Sequence, residues 1–308
     1  MFELFKDIAN LIVKKLPFLV VFKAMAFPLY AHRIDTFKDK EYLQVTKVKK
    51  NRSLYFDRLL ELKRFYSKSF IYMLTHYTLN GFPNTNYYKK KMNRFFNEIG
   101  TKSENKLLYG YQITDFMYAN RLMLSYHRYD TGYYALEVFK KLNKDVDYNN
   151  LNVLDYGCGV ADPALFLSLH GLKVTIVDLD TDKFRFAKQR FIERGLDVTA
   201  IAVSQAKKPV YLPDNVKYDL IIMSEFLEHT YSPRTFLEFA LSHLKTGGLF
   251  YDTLGPVYRH TDTDGDHLKE AKFEIEHSDY TDYYLGNLLP INSKFDCEKY
   301  KHFNMKIT

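Results

Sequence analysis

Tryptophan is absent from these 308 residues, and cysteine occurs only twice, at Cys158 and Cys297. Two cysteines supply neither a disulfide framework nor zinc-ligand spacing, so a reducing cytoplasm suits the chain. The fold must rest on its own core, and this length can bury one large domain or two modest ones. Long apolar runs are missing too. Leu16 to Tyr30 has Lys23 as its only charge, but Pro17 and Pro28 interrupt it. It falls short of the ~18–20 apolar residues a membrane-spanning helix needs. Ala24, Met25 and Ala26 faintly resemble a cleavage site, yet Glu3 and Asp7 spoil the basic leader of a signal peptide. There is no internal repeat and no low-complexity tract.

Charge is present but uneven. The net +7 divides into 26 basic against 14 acidic residues up to Asn150, and 18 against 23 from Leu151 onward. A sign change between halves means that the first half meets something anionic or folds against the second. Phe2, Phe5, Ile8 and Ile12 recur at helical spacing with polar residues between them, predicting an amphipathic helix. The first 30 residues therefore read as a buried packing surface or as an interfacial membrane helix. Residues 42–79 predict two long helices with Leu54, Leu59, Leu62, Phe65, Phe70 and Leu74 on their apolar faces. Asn80 to Asn84 is a turn cluster. Tyr87 to Phe96 mixes aromatics with bases, which suits either nucleobase stacking or a lysine face over a buried aromatic stripe. Gly100 to Asn105 is polar and reads as a linker.

From Val153 the pattern changes. Val153 to Tyr156 is an apolar strand carrying Asp155, and it runs into the turn Gly157, Cys158, Gly159. Asp162 and Pro163 then open a helix with Leu165, Phe166 and Leu169 on its apolar face, ending at Gly171. Val174 to Val177 form a second strand, capped by Asp178. Strand, glycine turn, helix, strand and acid is the layout of a nucleotide-binding βαβ unit. The third glycine of a dinucleotide fingerprint is not filled. Asp162 would place a carboxylate where a pyrophosphate otherwise lies, and Asp155 faces the same pocket. That charge suits a ligand with an ammonium and a sulfonium, and it repels phosphate. Asp178 can accept hydrogen bonds from two ribose hydroxyls.

With these residues the chain resembles the class I S-adenosylmethionine-dependent methyltransferases. The resemblance continues through a third strand, Asp197 to Val203, and a fourth, Tyr218 to Met223. Ser224, Glu225, Phe226, Leu227, Glu228 and His229 follow, similar to the Glu-Val-Leu-Glu-His segment of ubiquinone-biosynthesis O-methyltransferases. A helix capped by Ser232, with Pro233 first, is expected to reach about Lys245. Thr246, Gly247 and Gly248 then turn into a fifth strand, Leu249 to Thr253. The likeness covers about a third of the chain. It implies an α/β, Rossmann-like sheet of seven mostly parallel strands with helices on both faces, over residues 106–308, behind a helical region at 1–105. The last two strands are expected within Lys272–His277 and His302–Thr308. The implied cofactor is S-adenosylmethionine, held by Asp155, Gly157, Cys158, Gly159, Asp178, Leu179, Ser204, Gln205, Ser224 and Glu225. The family's usual acid after strand three is replaced by Ser204 and Gln205, though Gln205 can still bond an adenine edge. The segment ahead of the glycine turn folds over the cofactor in many members, so Tyr126, Tyr129 and Tyr133 are either pocket or core residues.

Methyl transfer is an in-line displacement, and a hydroxyl acceptor must also lose a proton. His229 follows strand four and His267 follows strand five, with His260 close by. Either His229 or His267 suits the base, and Glu228 or Asp266 could orient it. Asp262, Asp264 and Asp266 read as a solvated acidic loop or a divalent-metal site, but the other calcium-loop ligands are missing, and no metal is assigned. No Asn/Asp-Pro-Pro-Tyr follows strand four and no Pro-Cys pair occurs, which disfavours nucleobase methylation. The expected function is methylation of a hydroxyl, less readily an amine, on a small molecule or surface-glycan precursor. It is placed in the cytoplasm, with residues 1–30 as a contact for the inner membrane face and the helical region as lid or homodimer surface. Rival readings are a non-catalytic scaffold on the same fold, an RNA methyltransferase and, last, an NAD-dependent oxidoreductase.

Overall fold

The computed structural model describes residues 54–69, 72–73, 111, 119, 122–123, 130–205, 207–257, 268–291 and 301–307, which fall into two compact units. The smaller holds helix α1, Leu54–Tyr66, with Leu59 and Leu62 buried. Arg58 on this helix donates to the carbonyls of Leu122, at 3.2 Å, and Met123. Helix α1 lies within the span where two helices are expected. The readings for residues 1–30, 80–84, 87–96 and 100–105 lie outside the described residues.

The larger unit holds helix α2, Asp130–Leu142, and builds one seven-stranded sheet. Its strands are β1 Asn152–Tyr156, β2 Lys173–Leu179, β3 Thr199–Val203, β4 Tyr218–Met223, β5 Leu244–Asp252, β6 Leu288–Pro290 and β7 Phe303–Lys306. Their spatial order is β3-β2-β1-β4-β5-β7-β6. Strands β1 to β5 pair in parallel, while β7 runs antiparallel to both β5 and β6. The expected Rossmann-like architecture is therefore present.

Helix α3, Asp162–Leu169, links β1 to β2, and α4, Asp182–Ile192, links β2 to β3. Helix α5, Pro233–His243, links β4 to β5 in the opposite direction across the sheet. Right-handed crossovers then put α3 and α4 on one face and α5 on the other. Helix α2 packs on α3, and α6 (Lys269–His277) and α7 (Tyr280–Asn287) pack on α5. The central strands are covered on both faces, so their apolar runs are continuous: Leu220, Ile221 and Ile222 are all fully buried. Burying one such side chain stabilises by roughly 1.5–3 kcal/mol. Helix α3 is buried on nearly every side. Where α2 crosses it, a Cβ on Gly132 would lie 3.0 Å from both Phe166 and the Pro163 carbonyl.

Three expectations need correction. Helix α5 ends at His243, and β5 starts at Leu244 rather than Leu249. Thr246, Gly247 and Gly248 form an irregularity inside the β4–β5 pairing, not a turn before it. Lys272–His277 belongs to α6. Its alternating Phe273 and Ile275 mimic a strand, but Ala271 and Ile275, four residues apart, are the buried pair. The strand expected there is instead the three-residue β6.

Candidate functional site

The strand order reverses between β1 and β4, and the carboxyl ends of strands at such a switch point are where open α/β sheets bind ligands. The turn there is built from backbone. Gly157 and Gly159 have φ of 73° and 60°, and Ala161 has 56°. The Val177 carbonyl of β2 accepts from the N–H groups of Gly157 and Cys158 at 2.8 and 3.2 Å, which fastens the turn to the next strand. A Cβ on Gly157 would lie 2.3 Å from the Phe226 ring, so glycine is required for space as well as conformation. Phe226 is held by Tyr156 and Phe236, with ring centroids 5.0 and 5.2 Å away. The Tyr156 hydroxyl accepts from Val210 N–H at 2.9 Å, and burial raises its pKa to about 12.

Asp178 closes the other side. Its carboxylate accepts from the N–H groups of Gly159 and Leu179, each at 2.7 Å. Lys183 Nζ lies 3.7 Å away, over the Tyr111 ring at 5.9 Å. Asp155 is 2% exposed, near the end of β1. Both carboxylates act on the Cys158 thiol, whose pKa is pushed well up by burial first and then by the charges of Asp178 and Asp155. Cys158 is thus a buried filler in a negative field, not a nucleophile. Ser204 and Gln205 are exposed directly after β3.

On the strand-four side, Ser224 is half-buried and Glu225 is exposed with φ 51°. The Glu225 N–H donates to Thr253 Oγ1 at 2.7 Å, tying the end of β4 to the end of β5. Leu227–His229 forms a 3₁₀ turn. It leaves His229 half-buried and Glu228 fully buried, and the Glu228 carbonyl accepts from Leu268 N–H at 3.0 Å. At the end of β5 sits a polar group with no local sequence signature. Asp252, 1% exposed, accepts from Tyr284 Oη at 2.5 Å and from Gly255 N–H, and Asn304 donates to the Tyr284 oxygen at 2.8 Å. Burial raises the pKa of both Asp252 and Tyr284.

The structure thus brings Asp155, Gly157, Cys158, Gly159, Asp178 and Leu179 together around one turn, with Ser224, Glu225, Glu228 and His229 following the adjacent strand. Tyr133 lies half-buried on α2, beside the Gly132 contact with α3. Tyr126, Tyr129, His260, Asp262, Asp264, Asp266 and His267 lie outside the described residues. Among the described residues no group of three His, Cys, Asp or Glu side chains could hold a metal, and no helix is long and apolar enough to cross a membrane. Asp162 departs from expectation. It stands at the start of α3, but its carboxylate meets Arg190 at 2.8 Å with both side chains 1% exposed. Its charge is compensated inside the protein, so it does not act on a ligand as a lone carboxylate. The parts played by Phe226 and Arg190 have no local signal in the sequence because each acts on residues far from it in the chain.

Residues 154–250 match the family model of a methyltransferase domain. The ubiquinone biosynthesis O-methyltransferase of Colwellia psychrerythraea is 27% identical over 108 residues, 35% of this chain and 43% of that protein. Its Xylella fastidiosa counterpart is 30% identical over 114 residues, 37% of this chain and 46% of that protein. The chain thus spans less than half the length of these curated relatives. A solved S-adenosylmethionine-dependent methyltransferase from Clostridium acetobutylicum shares 23% identity with a TM-score of 0.29, over 39% of this chain and 55% of that one. With its strand order and glycine turn, the matched stretch is similar to class I S-adenosylmethionine-dependent methyltransferase domains.

Proposed function

We propose that this chain transfers a methyl group from S-adenosylmethionine to a hydroxyl, less readily an amine, of a small molecule or surface-glycan precursor. The observation carrying this reading is the glycine turn at the β1/β4 switch point, flanked by Asp155 and Asp178 and too tight at Gly157 for a side chain. Asp155, together with Asp178 whose charge is partly offset by Lys183 at 3.7 Å, sets negative charge beside a backbone cradle, which favours a cationic ligand without phosphates. The residues present fit that cofactor. Asp178 retains lone pairs beyond its two backbone donors for ribose hydroxyls. Leu179 offers an apolar contact, and Ser204 and Gln205 offer hydrogen bonds to an adenine edge. Ser224 and Glu225 border the cofactor on the strand-four side, and Tyr129 and Tyr133 are assigned to its cover.

When bound, the cofactor supplies a methyl group on positively charged sulfur. The protein orients the acceptor and takes its proton. His229, half-buried after β4, is the base in this reading, with Glu228 buried beside it in the chain; His267 is the alternative base. The O-methyltransferase relatives favour oxygen as the acceptor atom.

Isothermal titration with S-adenosylhomocysteine tests the cofactor. Binding is expected, with affinity about tenfold or more lower for Asp178→Ala, a loss of about 1.4 kcal/mol or more. A folded protein that ignores this ligand, prefers NADH or ATP, or binds unchanged after Asp178→Ala refutes the assignment. Labelled methyl transfer into metabolite and glycan extracts then identifies the acceptor. Cofactor binding with no labelled product would recast the chain as a scaffold.

A further inference from the structure

Ala161 sits at the end of the glycine turn in a left-handed conformation, φ 56° and ψ 38°, and is fully buried. Residues other than glycine avoid this region because Cβ crowds the following carbonyl. Ala161 is also the N-cap of α3 and gives it no side-chain cap. The chain nevertheless holds it there, with its N–H bonded to the Cys158 carbonyl at 2.8 Å and a side chain of α4 reaching both of its neighbours. Arg190 Nη1 donates to the carbonyl of Val160 and to Asp162 Oδ1, the latter at 2.8 Å. Those two acceptors lie on either side of Ala161. Both charged side chains are 1% exposed, and the guanidinium lies 5.8 Å from the Phe186 ring centroid. A buried ion pair is a weak way to add stability, because desolvation offsets the attraction and apolar residues fill the same space as well. Its geometry, however, is specific: one guanidinium nitrogen, Nη1, bonds the residues before and after the strained position.

We propose that Arg190, through Asp162 and the Val160 carbonyl, is a positioning residue that keeps Ala161 left-handed and thereby presents the cofactor turn in its binding shape. The ligand in this proposal rests on the cofactor reading above. Arg190 touches no ligand. It sets the path of the backbone from Gly159 into α3, the stretch whose first N–H Asp178 accepts.

The test compares wild type with a double variant, Arg190→Met with Asp162→Leu, which removes both charges together and leaves no lone buried ion. A third protein adds Ala161→Gly, since glycine takes the left-handed conformation without cost from a Cβ. Circular dichroism and a thermal melt establish folding, and titration with S-adenosylhomocysteine gives affinity. The folded double variant is expected to bind at least tenfold more weakly, with most of the loss recovered by Ala161→Gly. Affinity within twofold of wild type overturns the proposal, as does a loss that glycine does not recover. Should the double variant not fold, Arg190→Lys replaces it. Lysine keeps the charge but its Nζ stands one bond closer to the backbone than the Nη1 that makes both contacts, and a several-fold loss recovered by Ala161→Gly is expected; unchanged affinity overturns the proposal. If wild type binds no S-adenosylhomocysteine, the cofactor reading fails separately, and amide exchange without ligand decides. Faster exchange confined to Val160–Asp162 in the variant supports the positioning role, and equal protection removes it.

Discussion

At the carboxyl ends of β1 and β4 the backbone passes through left-handed residues, with Asp155 and, from the end of β2, Asp178 buried beside it. At the amino ends of the same strands a cleft of about 740 Å³ opens, lined by Lys173, Lys217, Lys245, Asn152 and Asp197 among others. Its lysines are largely committed: Lys245 pairs with Asp219 at 2.8 Å and Lys217 donates to the Ser242 carbonyl at 2.6 Å. This amino-end cleft is thus chemically quiet. The carboxyl end instead concentrates buried charge and left-handed conformations, the combination expected where a ligand is gripped.

Two glycines sharpen this contrast. Gly157 and Gly247 have nearly the same φ, 73° and 75°, yet a Cβ on Gly157 strikes Phe226 while one on Gly247 meets nothing within 4 Å. Gly157→Ala is therefore expected to cost about 2–4 kcal/mol, joining left-handed strain to overpacking, and to abolish measurable S-adenosylhomocysteine binding. Adding Phe226→Ala should restore part of it. Gly247→Ala is expected to lose only about 1 kcal/mol in a denaturant titration, with affinity intact. Equal effects at the two positions would break the comparison.

The next effect is alkaline. Burial of Tyr156 lifts its pKa from 10.0 to about 12, partly countered by the Val210 N–H and reinforced by Asp178. The unfolded chain gives up this proton first, so the contribution of Tyr156 is level below pH 10 and declines between pH 10 and 12. Urea titrations across that window should show a decline that Tyr156→Phe reduces; an identical slope in the variant would contradict it. The smallest effect belongs to the lower cleft. Lys245→Met removes a partly exposed pair worth about 0–1 kcal/mol and should leave affinity within twofold of wild type. A tenfold loss there would assign the lower cleft a role in cofactor binding.

What the sequence disclosed follows from how local each signal is. Strand β4 occupies the residues its apolar run marked, and the Ser232 side chain caps α5 as its position before Pro233 suggested. The glycine turn was legible because its function needs missing side chains within a few consecutive positions. Strand β6 was not, since three residues ending in proline carry no periodicity. Asp162 reads from the sequence as a ligand-facing carboxylate because its partner lies 28 residues onward on another helix. Likewise, nothing near Gly157 announces that Phe226 fills the space above it.

Among the described residues β6 is the outermost strand on its side, paired only with β7 and closed by Pro290 opposite Asn304. Proline offers no N–H to an incoming strand, and a three-residue border is too short to template one. Growth of the sheet by recruiting a neighbouring molecule is therefore discouraged on that flank, even though Leu289 there is 42% exposed. Concentrated solutions should gain protection from edge-to-edge aggregation on this flank, which is separated from the β1–β4 switch point by β5 and β7.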